Sequence, residues 1–95
     1  MPKRAKRIIV HGMVQGVGFR YFVHDIASQL ELTGNVRNCP DSTVEIVVEG
    51  DEDKIAELIK LVKKGPPLGW VQRTEIVDIP VQGAYGSFFV EGRFR

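Results

Sequence analysis

An α+β fold is predicted for this chain: a two-layer sandwich with two helices packed on one face of an antiparallel sheet. Three observations predict it. Two segments, 21–32 and 51–64, repeat apolar residues at helical spacing, while the remaining Val- and Ile-rich runs are short and bounded by turn residues. A Pro-Asp-Ser turn joins two of those runs between the helices, giving the order β-α-β-β-α-β plus a short terminal strand. The length, 95 residues, fits one such domain, 1–95, and is too short for two.

The first strand is expected from about Ala5 to Val14, rich in Ile and Val and running into a glycine loop. The first helix follows from Tyr21 to Leu32, with Phe22, Val23, Ile26, Ala27 and Leu30 on its apolar side, and Thr33-Gly34 is expected to stop it. Asn35 to Cys39 forms a short strand, Pro40-Asp41-Ser42 the turn, and Thr43 to Glu49 a strand with Val44, Ile46 and Val48 on one face. Asp51 is placed to cap the second helix, Glu52 and Asp53 suit its positive end, and Ile55, Leu58, Ile59 and Val62 form its stripe. Lys60, Lys63 and Lys64 suit its C-terminus, and Gly65-Pro66-Pro67 ends it. A strand from Trp70 to Ile79, a Gly83–Gly86 loop and a last strand around Phe88 to Gly92 complete the order.

This is the split β-α-β, or ferredoxin-like, plan. Its first two strands are each antiparallel to the third, which lies between them, so they run parallel and their C-terminal ends share one edge of the sheet. The glycine loop leaves the first strand at that edge, and Asn38 ends the second there.

Hydrophobic residues make up 43% and charged residues 26%, an ordinary soluble composition, and the net charge of +1 gives no general pull toward nucleic acid or membrane. The basic cluster Lys3, Arg4, Lys6 and Arg7 is read as a solvated terminus and not an RNA-binding arm. Cys39 is the single cysteine, so no internal disulfide can form. With no secretory signal or membrane-length apolar run, a cytoplasmic, stand-alone protein is expected, and its size suggests a monomer.

The chemistry concentrates in Gly12-Met13-Val14-Gln15-Gly16-Val17-Gly18-Phe19-Arg20. Glycines there let successive N–H groups turn toward one point, and an arginine follows where the helix begins. Converging amides, a helix dipole and a guanidinium fork describe a seat for a phosphate dianion. A cation at a helix start opposes the dipole, which an anion beside it would correct. A Walker loop needs Gly-Lys-Ser/Thr, which is missing, and a dinucleotide fingerprint needs a small residue at position 21, where Tyr21 stands. A terminal phosphoryl group remains as the ligand.

Val14-Gln15-Gly16-Val17-Gly18-Phe19-Arg20 followed by Gly34-Asn35-Val36-Arg37-Asn38 resembles acylphosphatase. Val44-Glu45, Glu49-Gly50 and Gly65-Pro66-Pro67 extend the likeness over nearly the whole chain. The resemblance implies a ferredoxin-like hydrolase that splits acyl phosphates into carboxylate and inorganic phosphate without metal or cofactor. By matched position it also implies that Arg20 binds the phosphate and Asn38 orients the attacking water. The loop amides from Gln15 through Gly16, Val17, Gly18 and Phe19 to Arg20 then complete the phosphoryl site. Two local departures stand out: Asn35 where the family commonly has an aromatic residue, and Ser42 where its hairpin usually has glycine.

Such a reaction asks little of the protein. The leaving carboxylate has a conjugate acid of pKa roughly 4, so no general acid is required. What is required is charge stabilisation on the phosphoryl oxygens and a water held in line. No general base is evident, and the substrate phosphate is expected to take the water's proton. His11 and His24 lack metal-ligand spacing, Cys39 reads as a small hydrophobe, and Trp70, Phe22, Phe88 and Val90 read as core or rim. An RNA-recognition module would carry aromatic residues on its first and third strands, and Arg7–Val14 and Thr43–Glu49 have none. No nucleic-acid or membrane partner is therefore expected.

Overall fold

A computed structural model describes residues 2–92. The elements run β1 (Lys3–Met13), α1 (Phe19–Gln29), β2 (Thr33–Asn38), β3 (Val44–Asp51), α2 (Glu52–Lys64), β4 (Trp70–Ile79) and β5 (Phe88–Val90). One five-stranded sheet has the order β4-β1-β3-β2-β5, antiparallel except where β5 lies parallel to β2. β3 pairs with both β1 and β2, which makes those two parallel, as the sequence order requires.

Alternation along the strands decides which face is covered. Ile8 and Val10 of β1, Val36 of β2, and Val44, Ile46 and Val48 of β3 are fully buried against Phe19, Val23 and Ala27 of α1 and Ile55, Leu58 and Val62 of α2. The opposite face carries Arg7, Arg37 and Glu45. There Glu45 is buried between the guanidinium Nε atoms of Arg7 and Arg37, at 2.6 and 2.7 Å. Burial opposes ionisation of that carboxyl, but the hydrogen bonds and charges of Arg37 and Arg7 outweigh it and hold its pKa below the ordinary value.

Several expectations need correction. The basic cluster is solvent-exposed or partly so, as expected, but all of it lies in β1, with Arg4 near Glu52, Lys6 paired with Asp78 and Arg7 with Glu45. β1 spans Lys3–Met13 and not Ala5–Val14, because β3 pairs with it from Lys3 onward and the pairing with β4 ends at Met13. α1 starts at Phe19, two residues early, and ends at Gln29 before the expected Leu32. Its stop is not Thr33-Gly34. Glu31 takes a φ of 60°, and Leu32 N–H turns back to the Ala27 carbonyl in a Schellman closure. Gly34 lies in β2 instead, where a Cβ would sit 1.8 Å from the Val47 carbonyl oxygen. Asp51 occupies the N-cap of α2 without a side-chain capping bond, and Glu52 N–H donates to the Pro2 carbonyl instead.

The crossing from β4 to β5 passes over the far end of the sheet. Glu49, buried on the open face, accepts the main-chain N–H groups of Gln82 and Gly83 at 3.0 Å each, which pins that connection. This brings β5 beside β2 and places Glu91 and Gly92 at the edge where α1 begins.

Candidate active site

The loop 14–18 turns sharply because Gly16 and Gly18 adopt φ of 74° and 76°, left-handed values that favour glycine. Val14 and Phe19, at its two ends, are 1% exposed and anchor it in the core. Gly18 is the N-cap of α1, makes no side-chain cap, and no acidic residue occupies the helix's first turn. The first N–H groups of α1 thus have no capping side chain, and the positive end of the dipole faces outward with nothing anionic on its own helix to meet it.

Arg20 projects from that first turn. Its Nη1 donates to the main-chain carbonyls of Glu91 and of Gly92, the latter at 2.9 Å. Among the described residues Nε and Nη2 have no partner, so one edge of the fork is fixed and the other is available to an anion. Arg37, next to Asn38 in β2, stands on the opposite face of that strand and is engaged by Glu45.

Asn38 ends β2 on the helix-side face, in phase with the buried Val36. Its Oδ1 is buried and accepts no hydrogen bond, the one such side-chain atom among the described residues. An enclosed acceptor left unmet is unfavourable, which leaves Asn38 Oδ1 open to a hydrogen bond from a water or a ligand.

Two bridges draw the loop and β2 together. Gln15 Nε2 donates to the carbonyls of Cys39 and Thr43 at 2.8 Å each, lashing the loop to the residue after Asn38. On the other side Arg20 holds the Glu91 carbonyl while Glu91 N–H donates to the Val36 carbonyl at 3.0 Å. The sequence reading placed Gln15 in the loop only for its amide and missed its side chain. It also missed the Glu91 and Gly92 carbonyls, since main-chain acceptors leave no mark in residue identity.

The two departures resolve differently. Asn35 points to the open face, away from Asn38, and its amide donates to the Glu91 carboxylate, so it forms no wall of the site. Ser42 takes a φ of 74°, the left-handed value that the usual glycine would adopt without strain. Asp41 compensates by accepting from Thr43 N–H at 3.1 Å and Thr43 Oγ1 at 2.6 Å, bonds that hold its carboxyl below the usual range. Cys39 is buried beside this turn, and His11 and His24 are paired with Glu75 and Asp25. Trp70, expected in the core or at its rim, is 61% exposed.

A ferredoxin-like sandwich with an uncapped, glycine-preceded helix terminus and an arginine on its first turn defines a small phosphate-handling protein. The comparisons narrow that class. The family model for acylphosphatase matches residues 6–90. The chain is 58% identical over 71 residues to the acylphosphatase of Caldivirga maquilingensis, spanning 74% of this chain and 75% of that one. It is 40% identical over 86 residues to the acylphosphatase of Petrotoga mobilis, spanning 90% and 96%. The crystal structure of acylphosphatase from Bacillus subtilis matches with a TM-score of 0.89 at 38% identity, covering 93% of this chain and 98% of that one. Full-length HypF in its phosphate- and nucleotide-bound form also matches at 0.89, with 35% identity, 97% of this chain and 12% of HypF. The chain belongs to the acylphosphatase family, hydrolases of acyl phosphates. No helix among the described residues is long and apolar enough to cross a membrane.

Proposed function

We propose that Arg20 and the main-chain amides from Gln15 to Arg20 hold the phosphoryl group of an acyl phosphate while Asn38 orients the water that attacks it. The observation that supports this most is the uncapped N-terminus of α1 beside a guanidinium braced by two carbonyls. The chemistry follows from what those groups can do. Amides and guanidinium hold the three phosphoryl oxygens in place and match the charge spread over them through the metaphosphate-like transition state. Asn38 Oδ1 accepts a hydrogen bond from water, and its Nδ2 is a donor toward phosphate, so one carboxamide can set both partners. The water oxygen bonds to phosphorus as the bridging P–O bond breaks, and that bond's electron pair leaves on the carboxylate. The water's proton passes to a phosphoryl oxygen.

The reaction needs no metal or cofactor in this scheme, because a carboxylate leaves unassisted. Residues 1–95 are proposed to act as one cytoplasmic domain, monomeric and without a nucleic-acid partner. The test is ultraviolet-monitored hydrolysis of benzoyl phosphate with Arg20 varied. Arg20→Ala and Arg20→Lys are both expected to lose about 10³-fold in kcat/KM and to bind inorganic phosphate more weakly, since an ammonium cannot reproduce the planar fork. An Arg20→Lys protein hydrolysing near the parent rate would overturn the assignment.

A further inference from the structure

Beside the phosphoryl seat lies a second concavity that the scheme above leaves without a task. It is a shallow groove of about 440 Å³ at the end of β1, lined by Met13, Trp70, Gln72, Thr43, Asp41 and His11. Met13 and Trp70 face each other across the β1–β4 register and are 62% and 61% exposed. Such large apolar groups at the floor of a groove are unlike scattered surface hydrophobes, because together they offer a ligand a continuous flat surface. β4 approaches β1 closely there. At the bulge after His11, a Cβ on Gly12 would sit 2.1 Å from the Trp70 carbonyl oxygen, so the backbone under Trp70 is fixed.

Two contacts connect the groove to the phosphoryl loop. Gln15, first of the loop amides, donates to the carbonyl of Thr43, which lines the groove. Gly69, just before Trp70, packs on the loop, where its Cβ position lies 3.2 Å from Val17 Cγ2. Its rim is acidic on one side, where Asp41 stands, and the nearby imidazole of His11 is already paired with Glu75. A carboxylated tail would meet repulsion there, and a neutral one would not.

We infer that this groove receives the acyl part of the substrate and favours flat, uncharged aromatic acyl groups, with Trp70 and Met13 as its specificity-determining residues. The inference rests on the phosphoryl site being where the preceding section puts it.

The experiment compares benzoyl phosphate with acetyl phosphate on the full chain. Trp70→Ala, Met13→Ala and the double variant are expected to lower the ratio of kcat/KM for benzoyl over acetyl phosphate by up to about tenfold, the scale of one lost aromatic contact. The intrinsic reactivities of the two substrates cancel when variants are compared. Trp70 is the single tryptophan, so its emission gives a second readout. It is expected to shift on titration with benzoylmethylphosphonate and to stay constant with inorganic phosphate. An unchanged ratio with acetyl phosphate still turning over overturns the inference and leaves the phosphoryl site standing. So does a Trp70 emission indifferent to benzoylmethylphosphonate at inhibiting concentrations. If the double variant alters sedimentation but not the ratio, the patch serves a second copy of the chain, and the inference again fails. If the parent chain hydrolyses neither substrate, both readings fall together.

Discussion

Asn38→Ala is expected to separate activity from stability. The residue is only partly buried, yet its Oδ1 is enclosed and unmet. An enclosed acceptor without a donor costs about 1–3 kcal/mol, and alanine removes it. Against that stands the loss of a small amount of packing, at about 0.8 kcal/mol per buried methylene-sized group. The two nearly cancel, leaving the folded state within about 1 kcal/mol of the parent, which for a domain of this size is a shift of no more than about 4–8 °C in Tm.

The rate has no such compensation. Removing one preorganised dipole at a reacting centre costs about 10²–10³ in kcat, or about 3–4 kcal/mol. KM is expected to hold, because Arg20 and the loop amides still grip the phosphoryl group. Thermal unfolding by circular dichroism, paired with benzoyl phosphate hydrolysis on the same sample, measures both quantities. The reasoning is refuted if the variant hydrolyses within about threefold of the parent, below the smallest effect such dipoles show. It is refuted equally if Tm falls by more than about 10 °C, which would make Asn38 a structural residue by the same scaling.

Two further outcomes test the frame around the site. Ser42→Gly relieves a left-handed φ of 74° in the hairpin and is expected to raise stability by about 0.5–1 kcal/mol, read as a higher urea midpoint with unchanged activity. Glu45→Gln removes the carboxylate shared by Arg7 and Arg37. Both arginine side chains are more than a third exposed, so solvent screening limits the loss to about 1–2 kcal/mol at neutral pH. Because the folded pKa of Glu45 lies below its ordinary value, its contribution is present above that value and fades as pH falls through the folded one. Parent stability should therefore drop below about pH 4.5 more steeply than that of Glu45→Gln, as acid denaturation followed by circular dichroism would show.

How much of this was legible in the sequence depends on which atoms did the work. Side-chain periodicity is written in residue identity, so Val44, Ile46 and Val48, and the stripe of α2, fell where their spacing put them. The shared edge of β1 and β2 followed from element order alone, and with it the placing of Asn38 beside the loop. Interactions made by the main chain carry no such signature. Gly34 looked like a helix stop because glycine ends helices, but the constraint on it is the Val47 carbonyl of a strand distant in sequence. The true stop, Glu31 at a φ of 60°, looked like any surface glutamate. The brace on Arg20 is of the same kind: two carbonyls just past a strand of three residues, delivered across the sheet by a crossing that Glu49 pins. A guanidinium at a helix start can be read from residues as a candidate for anion binding. That it is held by one nitrogen, with no other partner among the described residues, depends on where the Glu91–Gly92 segment arrives. Weakening the Glu49 clamp should thus reach the arginine only through β5, a path that spacing in the sequence gives no means to see.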